Sequence, residues 1–380
     1  MKKNIKIAVV GTRGFPGVQG GVESHCQELY PRLAANGCQI TVYARKDYVG
    51  SDSKNYKGVK IIPLWSPKKK SLEAIVHTFG ALLQAFLHRN QYDIIQIHAI
   101  GPSLLTPIAR GLGFKVVVTN HGPDYQRQKW GRFAKGILRL GESTGTKFAS
   151  EVICVSRHIQ SLLKENYGRN TFYIPNGVMA SGKMPPGITL KRHGLTPKKY
   201  ILAVGRLVPE KGFHDLLAAF REISSDWKLV IAGDADHEDN YSRFLKKRAA
   251  EDPRVVMTGF IKGQPLTEIF SNAGFFILPS YHEGLPIVLL EAMSYDLPIL
   301  ASNIPANLEL VPDQEFTFPP GDRAALKSKL TQIMSSSPKK GLTFKNKQRL
   351  ENEFNWDQIA RETFKVYTKV LNDNHLKSRL

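Results

Sequence analysis

Apolar and polar positions along this chain fall into blocks that switch between two periods. Short, nearly continuous apolar runs predict buried strands at Ile5–Val10, Gln39–Ala44, Val59–Pro63, Asp93–His98, Lys115–Asn120, Glu151–Val155 and Thr171–Pro175. Between most of them, apolar residues recur at helical spacing: Val22–Ala35, Leu72–Arg89, Lys129–Phe148 and His158–Tyr167. Strands apolar on both faces, alternating with helices, predict parallel βαβ units with helices covering both sides of a sheet. The pattern breaks over 178–198, where glycine, proline and basic residues predict a linker at 181–198. A second series follows at Tyr200–Val204, Lys228–Ala232, Arg254–Thr258, Phe275–Pro279 and Pro298–Ser302. The fold class is therefore α/β, with doubly wound parallel-sheet domains at 1–180 and 199–355. The amphipathic tail Trp356–Leu371 needs a surface, and 356–380 is expected to cross back to the N-terminal domain. Ligands of such sheets sit outside the carboxyl ends of the strands, so two domains of this kind predict a cleft between them.

Composition narrows the class. At 42% hydrophobic and 23% charged, the 380 residues are globular rather than disordered, and too many for one ordinary core. No apolar run reaches the ~18–20 residues that span a bilayer. The basic start leads into only four apolar residues, IAVV, before a glycine turn, which reads as a strand rather than a signal peptide. A cytoplasmic protein is expected. Three scattered cysteines without CxxC spacing argue against a disulfide framework or a zinc site built on thiols. The net charge of +20 is uneven: residues 1–180 hold 25 basic and 10 acidic residues, leaving only +5 for the rest. That asymmetry favours an anionic partner for the first half, whether nucleic acid, a membrane surface or phosphorylated ligands.

Three constellations carry candidate chemistry. The first strand runs into GTRGFPGVQGGVE, where Gly20 and Gly21 open a helix whose N-terminus favours anions. The spacing is not that of a dinucleotide fingerprint, and a plain tight turn explains it as well. Gly205-Arg206-Leu207-Val208-Pro209-Glu210-Lys211-Gly212 follows the strand Tyr200–Val204. Arg206 offers a bidentate fork and Lys211 a point charge, and together they can converge on a diphosphate. Glu283-Gly284-Leu285-Pro286 precedes a helix carrying Glu291, with Pro286 suited to its first turn. Free N–H groups near Gly284–Ile287 could bind phosphate or sugar hydroxyls. Along a helix the two carboxylates would be about 12 Å apart, too far for the about 5–5.5 Å of a retaining glycosidase pair. They suit hydroxyls at opposite ends of a long ligand, or merely a helix cap and an exposed glutamate.

These motifs, in this order, resemble retaining glycosyltransferases of the GT-B fold, with two Rossmann-like domains, and most of all family 4 of the sequence-based classification. The segment IPNGV at 174–178 and the final WxxIAxxxxxxY helix add to the likeness, which spans nearly the whole chain. GTRGFPGVQGGVES, VVVTNHGPDYQRQKWGR and SNIPANLEL resemble its bacterial rhamnosyltransferase-type subgroup. The resemblance implies that Arg206 and Lys211 hold a donor diphosphate, with Gly205 in the same loop. Glu291 would take the ribose hydroxyls; Glu283 and the backbone of Gly284, Leu285 and Pro286 would take the donor sugar. Gly20 and Gly21 would admit the phosphates, and His121 would stand beside the reacting carbon. It further implies sugar transfer with retention, without cofactor or metal, from a nucleotide sugar to a glycan or lipid-linked acceptor in bacterial surface polysaccharide synthesis.

Two departures from the family pattern stand out. Met179 follows IPNGV where an acidic residue is common, and Gly233-Asp234-Ala235-Asp236 replaces a glycine-rich turn. Asp234-x-Asp236 formally matches a divalent-metal motif, but nearby cations already supply positive charge and the next residues look like a solvated helix start. Lys68, Lys69 and Lys70, with Arg127, Lys129, Arg132, Lys135 and Arg139 around Trp130 and Phe133, suit contact with an anionic membrane. The rival readings are a nucleotide-sugar epimerase and, from charge alone, a nucleic-acid-binding protein. The latter lacks any RNA- or DNA-reading motif, so no nucleic-acid partner is expected.

Overall fold

The computed structural model describes residues 4–50, 54–67, 72–127, 130–179, 182–335 and 348–373. Lys68–Lys70 and Lys129 lie outside them. The chain divides into two compact units, 1–176 with 356–380, and 177–355.

The first unit is built on an eight-stranded sheet. In spatial order its strands are Asn55–Tyr56, Val59–Leu64, Gln39–Arg45, Lys6–Val10, Ile94–His98, Lys115–Asn120, Glu151–Cys154 and Phe172–Tyr173. All pairings are parallel except the short hairpin Asn55–Tyr56/Val59–Leu64. The central strands are buried along most of their length because helices cover them, as continuous apolar runs require. The C-terminal helix Trp356–Asn372 joins this core through Trp356, Ile359, Val366 and Tyr367. Lys115 Nζ caps its end by donating to the carbonyls of Val370 and Leu371 at 2.9 and 3.0 Å.

In the second unit six parallel strands lie in the order Val255–Gly259, Lys228–Ala232, Tyr200–Val204, Phe275–Leu278, Ile299–Ser302 and Thr317–Phe318. Its core gathers Ile201, Leu216, Phe220, Leu229, Ile277 and Leu300. The segment expected as a linker belongs to this unit and contains a helix, Ile188–Arg192. The reason is local: the Glu268 carboxylate accepts from the backbone N–H groups of Gly187, Thr189 and Leu190 at 2.8, 3.2 and 2.8 Å. Such a short helix depends on that tertiary anchor rather than on its propensity. The two ends of the unit are tied together where Val178 N–H donates to the Phe354 carbonyl at 2.8 Å.

Each sheet has a switch point. Strand order reverses between Lys6–Val10 and Ile94–His98 in the first unit, and between Tyr200–Val204 and Phe275–Leu278 in the second. Chain connections leave in opposite directions there, so a crevice forms at the strand ends, where side chains from sequence-distant loops meet.

Candidate functional site

At the second unit's switch point the loop after Tyr200–Val204 meets the loop after Phe275–Leu278. Glycine makes the approach possible. Gly212 has φ 68° and Gly233 φ 136°, and a Cβ on either would strike the carbonyl of Pro279 or of Gly205. The Lys211 stem lies against Gly205, and Lys211 Nζ donates to Glu283 Oε1 at 2.6 Å. Ser280 Oγ donates to the same oxygen at 2.6 Å. Burial pushes the Glu283 carboxyl up, but Lys211 and Ser280 outweigh it and hold it below the usual range. Arg206 Nη1 pairs with Asp236 Oδ2 at 2.8 Å. Of the residues read as a possible metal motif, Asp236 thus meets the predicted phosphate cation, while Asp234 pairs with Lys246 at 3.1 Å.

The helix after Glu283 spans Ile287–Ser294 and has no side-chain N-cap. Pro286, expected in the first turn, sits one position earlier with extended backbone, because ψ is 105°. Leu285 and Pro286 are buried, so their backbone is what they can present to a ligand, and Gly284 is half-buried. Glu291 projects from this helix; burial raises its carboxyl to about 7, with no cation among the described residues to offset it. A neutral acid there can donate a hydrogen bond as well as accept one.

In the first unit His121, at the end of Lys115–Asn120, is not a lone histidine. Its Nε2 shares a hydrogen bond of 2.8 Å with His98 Nδ1, and the two ring centroids are 5.1 Å apart. His25, on the helix Gly21–Ala35, stacks edge-on at 5.0 Å. His25 Nδ1 donates to Asn176 Oδ1 at 2.9 Å, and the Tyr30 hydroxyl bonds His98 Nε2. Burial lowers all three imidazoles, His25 to about 4, so each is neutral at neutral pH. No spacing rule links 25, 98 and 121; a histidine ending each of two neighbouring strands, His98 and Asn120-His121, was the available signal.

Gly20 and Gly21 behave differently. Gly20 has φ 149°, and a Cβ would run into the Glu23 carboxylate and the Arg13 guanidinium; a Cβ on Gly21 would point into open space. Arg13 Nη2 and Glu23 Oε2 pair at 3.0 Å, and Arg13 also donates to the Gln19 carbonyl. Burial would raise Glu23, yet Arg13 pulls it down to about 2. This pair braces the glycine loop and was not anticipated from the sequence.

Two doubly wound parallel-sheet units, each with a crevice at its own strand ends, belong to a GT-B class of architecture, and comparison with known proteins agrees. The family model "Glycosyltransferase Family 4" matches residues 19–181 and "Glycosyl transferases group 1" matches residues 189–351. The chain is a glycosyltransferase of the family 4 kind, with GT-B architecture. It is 25% identical to the phosphatidylinositol N-acetylglucosaminyltransferase gpi3 subunit of Schizosaccharomyces pombe, over 94% of this chain and 79% of that one. It is also 25% identical to the capsular polysaccharide biosynthesis glycosyltransferase CapM of Staphylococcus aureus, over 63% and 67%. Anabaena HepE in complex with UDP-glucose superposes with a TM-score of 0.77 at 19% identity, covering 96% of this chain and 100% of HepE.

Proposed function

We propose that this protein transfers a sugar, rhamnose by the resemblance of its subgroup segments, from a nucleoside diphosphate to a glycan or lipid-linked acceptor, with retention and without a metal. The meeting of Lys211 with Glu283 at one strand-end crevice, with Arg206 on the same loop as Lys211, supports the reading. In the proposed step the bond between the anomeric carbon and the diphosphate oxygen breaks. Arg206, Lys211 and the N–H groups opening Ile287–Ser294 stabilise the charge that grows on the leaving group. The acceptor hydroxyl attacks the same face of the sugar and passes its proton to the departing diphosphate, so no glycosyl-enzyme forms. Glu291 is assigned the ribose hydroxyls, and Glu283 with the Gly284–Pro286 backbone the donor sugar. From the first unit, His121 and the Gly20–Gly21 turn are the groups the family resemblance assigns to the donor. Relatives named for capsular polysaccharide and for phosphatidylinositol support a surface-glycan or lipid-linked acceptor.

The test is a thermal-shift screen of nucleotide sugars, dTDP-rhamnose among them, followed by release of the nucleoside diphosphate. Arg206→Ala and Lys211→Ala each remove charge-assisted hydrogen bonds, so each should weaken donor binding about 10- to 100-fold while the protein stays folded. Lys211→Ala should be the less stable, since it strands the Glu283 carboxylate. Full donor affinity in both variants would refute the assignment. Donor interconversion without an acceptor would mark an epimerase instead.

A peripheral membrane contact on the cytoplasmic side is part of the same proposal. No described helix is long and apolar enough to cross a membrane. Helix Glu73–Leu87, however, buries Ala81, Leu82 and Ala85 while its opposite face leaves Phe79 51%, Leu83 51% and Leu87 65% exposed. Helix Arg132–Phe148, packed on the same turn Pro102–Leu105, exposes Phe133 at 83% beside Arg132. An apolar stripe next to cations suits the interface of an anionic leaflet. Phe79→Asp with Leu83→Asp should abolish co-sedimentation with anionic vesicles and leave donor binding in solution intact; unchanged sedimentation would remove this part.

A further inference from the structure

The histidine cluster of the first unit has the makings of a ligand site in its own right. His25 comes from the helix after the first strand, His98 ends the neighbouring strand and His121 follows the next one. Each offers a ring nitrogen, and the three atoms lie within 4.8 Å of one another. The outer partners decide which nitrogens face inward. Asn176 engages His25 Nδ1 and Tyr30 engages His98 Nε2, which leaves His25 Nε2 and His98 Nδ1 on the inner side, the latter 2.8 Å from His121 Nε2. Metal-bound imidazoles characteristically donate their second N–H to a carboxylate, carbonyl or water, a place that the Asn176 amide oxygen and the Tyr30 hydroxyl take here. Two nitrogens on a tetrahedral zinc ion at about 2.0–2.1 Å are roughly 3.3 Å apart, so the His98–His121 pair would open by about half an ångström, while His25, whose ligand atom lies within 4.8 Å of the others, would swing inward.

The donor set selects the ion. Three imidazoles with no carboxylate or thiolate suit a borderline transition metal and not calcium or magnesium. His25 and His98 are buried while His121 is half-exposed, so one side stays open to solvent for entry and for a fourth ligand. The proton now shared by His98 and His121 has a place to go. Whichever ring carries it moves it to that ring's other nitrogen; for His98 that is Nε2, which then donates to the Tyr30 oxygen. Binding is thus a tautomer change with no net proton release.

We infer that His25, His98 and His121 form a site for one divalent transition metal ion of the zinc class, three protein ligands leaving a fourth position open. The site shares His121 with the sugar-transfer proposal but assigns the metal no part in that step, and its test uses no nucleotide sugar, so either reading can fail without the other. The full chain is titrated with Co²⁺, reading the visible d–d absorption of low-coordinate cobalt and the shift in melting temperature, with Zn²⁺ as competitor. One equivalent is expected to give the band and Zn²⁺ to erase it. His25→Ala should abolish it and the exposed His88→Ala should not. Because a ligand variant can fail to fold, Tyr30→Phe supplies a milder check: it keeps all three ligands, and cobalt affinity should fall about 10- to 100-fold. Absence of a band in the wild-type chain would mean that the cluster only holds His121 in place, and would overturn the inference. So would a band that survives His25→Ala, or a sulfur-to-cobalt charge-transfer band pointing to the neighbouring Cys26.

Discussion

In the first unit the strands at the switch point end among His25, His98 and His121, neutral rings joined to one another, to Tyr30 and to Asn176. In the second unit the equivalent strand ends carry Arg206 paired with Asp236 and Lys211 paired with Glu283, and the helix that follows bears Glu291, whose carboxyl is raised by burial. Topology is shared; electrostatics are opposite. A neutral cluster meets an incoming group with no counter-ion to displace, and it is held by burial and directional hydrogen bonds. A paired cluster holds its cations in position before the ligand arrives, but an anionic ligand must compete with Asp236 and Glu283, so its net gain is smaller than the charges suggest.

Glu23 and Glu291 sharpen the contrast, since each lies on the helix that follows a strand of its switch point. Arg13 brings Glu23 from 4.5 to about 2, whereas burial takes Glu291 from 4.5 to about 7. The ionised form of Glu23 therefore stabilises the fold above about pH 4.5, and that contribution is lost as pH falls through about 2. Glu291 works the other way. Its contribution is complete below about pH 4.5 and is lost as pH rises through about 7. Each shift corresponds to about 3–3.5 kcal/mol. Glu23→Gln should cost about that much at neutral pH, with the loss fading in acid. Glu291→Gln should add about 1–2 kcal/mol at pH 8, given its partial exposure, and nothing at pH 4.5. Denaturation curves across pH check both, and profiles of the same sign would erase the distinction between the units.

A smaller effect probes the loop that the Arg13–Glu23 pair braces. Gly20→Ala must push the pair apart and should cost about 1–3 kcal/mol. Gly21→Ala, at the first helical position with open space around it, should be neutral or gain up to about 0.5 kcal/mol. Equal effects at the two glycines, measured by urea unfolding, would show that the pair does not constrain the turn.

The strands and helices were legible because their signals are local: every strand drawn from an apolar run exists, with ends shifted by up to two residues, as at Thr171–Pro175, observed as Phe172–Tyr173. The placement of Arg206, Lys211 and Glu283 in loops directly after recognisable strands was legible for a related reason. Helix Ile188–Arg192 was missed because its anchor, Glu268, lies far away in sequence. Asp236 was visible only as half of a metal-like motif, since nothing local announces that its partner is Arg206.

By itself the chain's pattern of apolar runs determined two α/β units and which loops stand at strand ends, because burial period and turn chemistry act over a few residues. Tertiary structure alone decided which side chains meet: His25 with His98 and His121, Arg13 with Glu23, Arg206 with Asp236. Sheet order sets those meetings, and it also decides which carboxylates find a cation and which, like Glu291, are left to burial. Strand order depends on contacts between residues far apart in sequence, and no short-range pattern records it.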